Sequence, residues 1–297
     1  MDIFDDRPCR LGEGPFYDDR TGRAGWVDIL GREVLWRELP SGRTGSLATE
    51  GHVGAAVPRE SGGLVLCLPA GPVLLDPDGR RQALGTFAAA DHAAGRPPPG
   101  RQPAPPAMRA NDAKADPAGR LWLGTMAYDE SPGVAALYRL DPGAGDLVRV
   151  LDGVTISNGL GWSPDARLMY YVDTPTRQID LFDYDRAAGT AIGRRRFAAI
   201  EPEAGFPDGM CVDAHGGVWV ALWGGGAVRR YAPDGTLDRV VPVGTPLVTS
   251  CAFAGPAYDR LIITTARGPQ PAGPSGGLTY AYRPGDVVGM PVDRYAG

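Results

Sequence analysis

The sequence predicts an all-β protein: a six-bladed β-propeller of four-stranded antiparallel blades, with residues 1–297 forming one propeller domain. Three observations predict it. A strand–turn–strand unit recurs six times, each junction carries turn chemistry, and no segment shows the 3.6-residue apolar stripe of an amphipathic helix.

Six short apolar strands anchor the repeat. They are Trp26–Leu30, Leu64–Leu68, Leu121–Met126, Met169–Asp173, Val218–Trp223 and Leu261–Ala266, and they start 38 to 57 residues apart. Each follows a polar turn: DDRTGR, RESGG, DPAGR, SPDAR, DAHGG and GPAYDR. Each leads into a second strand and turn, as in LWRELPSGR, VLLDPDGR and VRRYAPDG. Proline presets φ in such turns and glycine accepts positive φ. A spacing of about 45 residues is the period of a four-stranded blade. Residues 88–107, AAADHAAGRPPPGRQPAPPA, interrupt the pattern. Their prolines argue against a regular helix or a central strand. The repeat resumes in phase afterwards, so the segment reads as a long surface loop between blades.

Composition narrows the function classes. Hydrophobic residues make up 43% of the chain, enough for a core. Net charge is −5, and no basic stripe appears. Nucleic acid and an anionic membrane surface are therefore poor partners. No apolar run approaches the ~18 residues of a membrane span. The basic residues are arginines except for Lys114, which reads first as coding bias. Cys9, Cys67, Cys211 and Cys251 are scattered without a CxxC, so they read as reduced, buried thiols. The acidic start MDIFDDRPCR lacks the apolar region of a signal peptide, and a cytoplasmic protein is expected.

The polar residues that precede the turns share one phase. Glu13, Asn111, Asn158 and Asp208 stand 11 to 13 residues before the first residue, or the aromatic, of the following strand. In a propeller, equal phase means equal radius and height. Residues opening the innermost strands face the central channel, so these four should meet on the axis. Two carboxylates held together in a partly dry site repel, and a bound cation resolves that conflict. Carboxylate and amide oxygens suit Ca2+, Mg2+ or Mn2+, and an open oxygen site also accepts Zn2+. His52, His92 and His215 lack metal-ligand spacing. Taken singly, Asn158-Gly159 and Asp208-Gly209 read equally well as turn dipeptides, and Glu13 as an exposed acid. Their common phase favours the site. Trp26, Trp36, Trp122, Trp162, Trp219 and Trp223 fall mostly at strand positions, which favours core packing over sugar stacking. Trp223, before Gly224-Gly225-Gly226, is placed nearer a channel mouth.

At these residues the chain resembles the gluconolactonase, regucalcin (senescence marker protein) and luciferin-regenerating-enzyme family. The matching segments are LGEGPFYD, NDAKADPAGRLWLGTM, ISNGLGWSPDARLMYYVDT, FDYDRAAG, FPDGMCVDAHGGVWVALWGGG and TSCAFAG, spanning Leu11 to Ala266. The C-terminal Tyr295-Ala296-Gly297 is similar to the regucalcin end. The resemblance implies one divalent ion, Ca2+ foremost with Zn2+, Mn2+ or Mg2+ as alternatives, and hydrolysis of a small-molecule lactone. It implies Glu13, Asn158 and Asp208 as metal ligands, and Arg109, Asn111 and Asp129 as substrate-binding residues. Asp129 stands where regucalcin-like members carry a glutamate.

Asp208 is the candidate general base, since a ligand carboxylate can share its second oxygen with water. Arg109 read alone is a structural ion-pair partner, and Asp129 a solvated loop acid. Two departures bear on the substrate: Ala113 replaces the glycine of the family's NDGK, and the proline-rich loop is longer than in regucalcin. Organophosphate or biosynthetic chemistry at the same metal, and non-catalytic calcium binding, are the competing readings. A monomer or weak homodimer is expected.

Overall fold

The computed structural model describes residues 1–94, 107–268 and 275–297. Its strands form six four-stranded antiparallel sheets arranged as a β-propeller. Numbered in chain order, the blades have innermost strands Gly12–Asp18, Ala56–Pro58, Met108–Ala115, Ser157–Trp162, Phe206–Val212 and Val248–Ala254. The strands read as the repeat are the second strand of each blade, for example Leu64–Leu68, Leu121–Ala127 and Val218–Trp223.

These second strands are apolar without alternation because neighbouring blades cover both faces. Every residue of Leu121–Ala127 is buried. The outermost strands are charged instead: Thr190–Ala199 carries Arg194, Arg195 and Arg196 on a mostly exposed edge. Charge on an edge strand opposes pairing with other chains. Trp26, Trp122 and Trp219 are fully buried, so they pack the core. Trp223 is half-buried at the end of its strand.

The turn signals act as expected. Gly119 in DPAGR and Gly216 in DAHGG take φ of 79° and 80°. In SPDAR the same role falls to Ala166, at φ 55°. Ring closure was not legible beforehand. The N-terminal strand Asp2–Asp5 joins blade 6 as its outermost member, pairing with Thr279–Tyr282. The C-terminal tail then crosses the molecule. Gly289 bridges Asp213 of blade 5, and Tyr295 docks on Pro58 and Arg59 of blade 2.

One expectation needs correction. Phe87–Ala93, at the start of the segment read as loop, form a short α-helix. The prolines begin after it, so nothing breaks it. Thr86 caps its N-terminus, and Phe87 and Ala90 enter the core. Residues 95–106, which carry most of the prolines, lie outside the described residues.

A polar staple recurs between inner and second strands. Asp116 Oδ1 accepts from the amides of Ala118 and Arg120, and its Oδ2 accepts from Trp122 Nε1 at 2.9 Å. Asp213 repeats this with His215, Gly217 and Trp219, and adds Arg230 Nε at 2.7 Å. Both carboxylates are fully buried. Asp213→Ala would leave the Gly217 amide and Trp219 Nε1 without their acceptor, while Arg230 keeps Asp238 at 2.8 Å. Each buried donor left unpaired costs about 1–3 kcal/mol, so the variant is expected to lose about 3 kcal/mol of unfolding stability in urea titrations.

Candidate metal centre and substrate pocket

The four in-phase residues sit at a repeated irregularity. In blade 1, Glu13 pairs with Val27 and Phe16 with Gly25, so three steps oppose two. The same one-residue β-bulge spans Ala110 to Ala113, Ser157 to Leu160, and Pro207 to Met210. A bulge breaks strict alternation and re-aims a side chain. Asn111, Asn158 and Asp208 fall inside it, and Glu13 stands at its edge, paired with Val27. All four are buried, at 7%, 7%, 5% and 6% exposure.

Asn158-Gly159 and Asp208-Gly209 are therefore strand residues and not turns. Their glycines answer a different demand. A Cβ on Gly159 would stand 2.6 Å from the Asp208 carbonyl oxygen, and one on Gly209 would stand 2.1 Å from Ser250 Oγ. Each innermost strand passes too close to the next for a side chain.

Two further carboxylates hold the strand entries. Asp28 accepts from the amides of Arg10 and Leu11 at 2.8 and 3.0 Å, just before Glu13. Asp173 accepts from Thr155 and Ile156 just before Asn158. Sequence reading missed both, although each closes a second strand at the same phase.

The structure joins Arg109, Asn111 and Asn158 into one chain of hydrogen bonds. Arg109 Nη1 donates to Asn111 Oδ1 at 2.6 Å, and Asn111 Nδ2 donates to Asn158 Oδ1 at 3.0 Å. Asn158 Nδ2 donates to Thr174 Oγ1 at 2.8 Å, which in turn donates to the Pro207 carbonyl. The amide of Asn158 is thereby fixed with its oxygen turned toward Asn111.

Glu13 and Asp208 act on each other electrostatically at the axis. Burial first, and then the charge of Asp112, push the Glu13 carboxyl up to about 8. Asp208 is also pushed well up, by burial and then by Glu13 and Asp112. Asp208 Oδ1 is buried without a hydrogen-bond partner among the described residues. Arg109, the nearby cation, is itself buried, and desolvation lowers its pKa. Among the described residues, no group of three or more His, Cys, Asp or Glu side chains is disposed around a metal. The axial set consists of two carboxylates and an amide.

Asp129 is not brought into this cluster. It lies on an exposed turn, and its Oδ1 accepts from the Ser131 amide at 3.1 Å. Its neighbours Tyr128 and Glu130 are the ones that act on Arg109 electrostatically. Tyr128 also bonds His52 Nδ1 at 2.8 Å, linking blade 3 to the loop before blade 2's innermost strand. Sequence reading missed this pair because neither residue shares the repeat's phase. Ala113 packs in the core with Ala55 and Val57, so its methyl group lies off the axis.

A six-bladed ring with a buried acid, amide and arginine cluster at one end of its axis defines a propeller with a polar axial pocket. The chain belongs to the SMP-30/Gluconolactonase/LRE-like family, which it matches over residues 11–267. It is 36% identical to regucalcin of Danio rerio over 296 residues, covering 97% of this chain and 95% of that protein. It is 35% identical over 259 residues to YvrE of Bacillus subtilis, assigned as a sugar lactone lactonase, covering 86% and 83%. The structure of a calcium-binding regucalcin from Agrobacterium tumefaciens superposes with a TM-score of 0.88 at 29% identity, covering 100% and 97% of the two chains.

The raised carboxyls set a pH dependence. Glu13 titrates at about 8 in the folded, ion-free protein but near about 4.3 in an unfolded chain. Between these values the folded state holds a proton that the unfolded state has released. Stability therefore falls as pH rises through that window. Asp208 acts in the same direction. Urea midpoints of chelator-treated protein are expected to fall between about pH 5 and pH 8. Glu13→Gln should flatten the slope, and a saturating divalent cation should remove it.

Proposed function

We propose that the protein is a metal-dependent lactonase acting on a sugar lactone. The observation that carries this reading is the axial pair of Glu13 and Asp208: two carboxyls held high by burial and by the charge of Asp112, with Glu13 raising Asp208 further and Asp208 Oδ1 without a hydrogen-bond partner among the described residues. That arrangement is unfavourable alone and fits a cation. Glu13, Asn158 and Asp208 would hold the ion. Hard oxygen donors and the calcium-binding relative favour Ca2+, with Zn2+, Mn2+ or Mg2+ able to substitute. When bound, a divalent ion supplies Lewis-acid polarisation of a carbonyl oxygen.

The chain's own residues supply the rest. Asp208 offers its free Oδ1 as the base that takes a proton from water attacking the lactone carbonyl carbon. The ring C–O bond then breaks and the ring oxygen takes the proton back from Asp208, giving a hydroxy acid. Arg109 stands beside Asn158 as a donor for lactone or hydroxyl oxygens, and Asn111, whose Nδ2 bonds Ser157 and Asn158, would meet the substrate while holding the arginine in place. Asp129, on the exposed turn, would reach a substrate only from the rim. The relative assigned as a sugar lactone lactonase supports the substrate class.

The test is turnover of a panel of aldonolactones by protein loaded with each metal in turn. Asp208→Ala is expected to reduce kcat by about a thousandfold or more while the protein stays folded. Arg109→Met should raise KM more than it lowers kcat. Full activity in Asp208→Ala would sink the base assignment. Metal binding by calorimetry without lactone turnover would favour a calcium-binding role, and turnover confined to phosphotriesters would favour organophosphate chemistry.

A further inference from the structure

The axis has a second end. Beyond the bulges, the innermost strands run on to enclose a cavity of about 470 Å3. It is lined by Phe16, Val57, Trp162 and Phe253 from four blades, and by Met290 of the C-terminal tail. The tail crosses this end between its contacts on blades 5 and 2, so the cavity lies between the ring and a strap of its own chain.

Two charged groups reach the cavity from one strand. Asp112, Ala113 and Lys114 all line it, and Ala113 also packs against Ala55 and Val57 in the core. Asp112 is 4% exposed, and its Oδ2 is buried without a hydrogen-bond partner among the described residues. Lys114 is half-buried, and its ammonium donates to the Met210 carbonyl of blade 5. Among the described residues it is in no ion pair with a carboxylate. The bulge between Ala110 and Ala113 brings Asp112 to the same cavity as Lys114. The cavity thus offers a lone acceptor and an underused cation against an apolar wall. Asp165, Arg186 and Asp293 are exposed lining residues at its outer rim.

We infer that this rear cavity is a second small-molecule site, distinct from the front pocket, which takes a hydroxy acid with an apolar body. The hydroxyl would donate to Asp112 Oδ2, the carboxylate would accept from Lys114, and the body would pack on Trp162, Phe253 and Met290. The size lies within the usual range of ligand pockets, about 300–1,000 Å3. The inference stands on the cavity's own residues and does not depend on the lactonase reading.

Lys114 is the sole lysine of the chain, which makes the test direct. Protein loaded with Ca2+ is treated with an amine-acylating reagent, and acylation of Lys114 is followed by peptide mass spectrometry. 3-Phenyllactate is expected to slow that acylation about tenfold at saturation. 3-Phenylpropionate, lacking the hydroxyl, should protect with affinity lower by about tenfold. Gluconate, lacking the apolar body, should not protect. By calorimetry, Lys114→Met should weaken phenyllactate binding by about tenfold, with thermal unfolding checked alongside. Unchanged acylation in saturating phenyllactate would overturn the inference. So would equal protection by gluconate, or protection that disappears when the metal is chelated.

Discussion

One extra residue in each of four innermost strands governs where this protein can do chemistry. A regular strand would send alternate side chains into the core on either face, and the axis would be lined by backbone and small groups. The repeated bulge breaks that alternation between Glu13 and Phe16, Ala110 and Ala113, Ser157 and Leu160, and Pro207 and Met210. In blade 3 the effect is plain: Ala110 and Ala113 remain in the core while Asn111 and Asp112 between them leave it. Buried polar groups without partners are costly, so the bulges hold only where something compensates. Asp28 and Asp173 bind the amides entering two of these strands, and Asn111 and Asn158 satisfy each other.

Much of this was legible in the sequence, for a physical reason. A bulge of fixed size leaves the spacing to the following strand unchanged, so the axial residues keep a common phase. That is why Glu13, Asn111, Asn158 and Asp208 stand out in the sequence alone. The bulge itself left no readable mark. Asn-Gly and Asp-Gly have the same letters whether glycine serves a turn or a close backbone approach, and only the neighbouring blade distinguishes them. Ring closure by Asp2–Asp5 was hidden because strand pairing between chain ends has no local signal. The helix Phe87–Ala93 was hidden by the prolines downstream, which dominated the reading of the whole segment. His52 and Tyr128 were invisible because they meet across blades from loops outside the repeat.

The axis is electrostatically uneven. At one end stand Glu13 and Asp208, with Arg109 a buried counter-charge that hydrogen-bonds neither of them among the described residues. Arg109 spends its donors on Asn111 and a backbone carbonyl. Asp112 stands between the two ends, raising Glu13 and Asp208 from one side and lining the rear cavity on the other. Lys114, two residues on, offsets Asp112 rather than the front pair. The axial acids are therefore left with a net negative field at the front, and a cation there lowers the energy of every one of them.

This coupling explains why stability and chemistry are hard to separate in such a ring. Gly159 and Gly209 let adjacent innermost strands approach to the point where no Cβ fits. The approach at Gly159 brings Thr174 of blade 4 within reach of the Pro207 carbonyl of blade 5, while Asn111 reaches Asn158 across blades 3 and 4. Loosening the contact between blades 4 and 5 would enlarge the pocket and relieve the crowding. It would also separate the oxygens whose closeness makes the cation site. The packing that the fold needs at its axis is thus the same packing that concentrates like charge there. The resulting strain is electrostatic, confined to a few carboxyl oxygens, and removable by an ion. Replacing Glu13 or Asp208 by an apolar residue would remove the repulsion permanently, and with it the site.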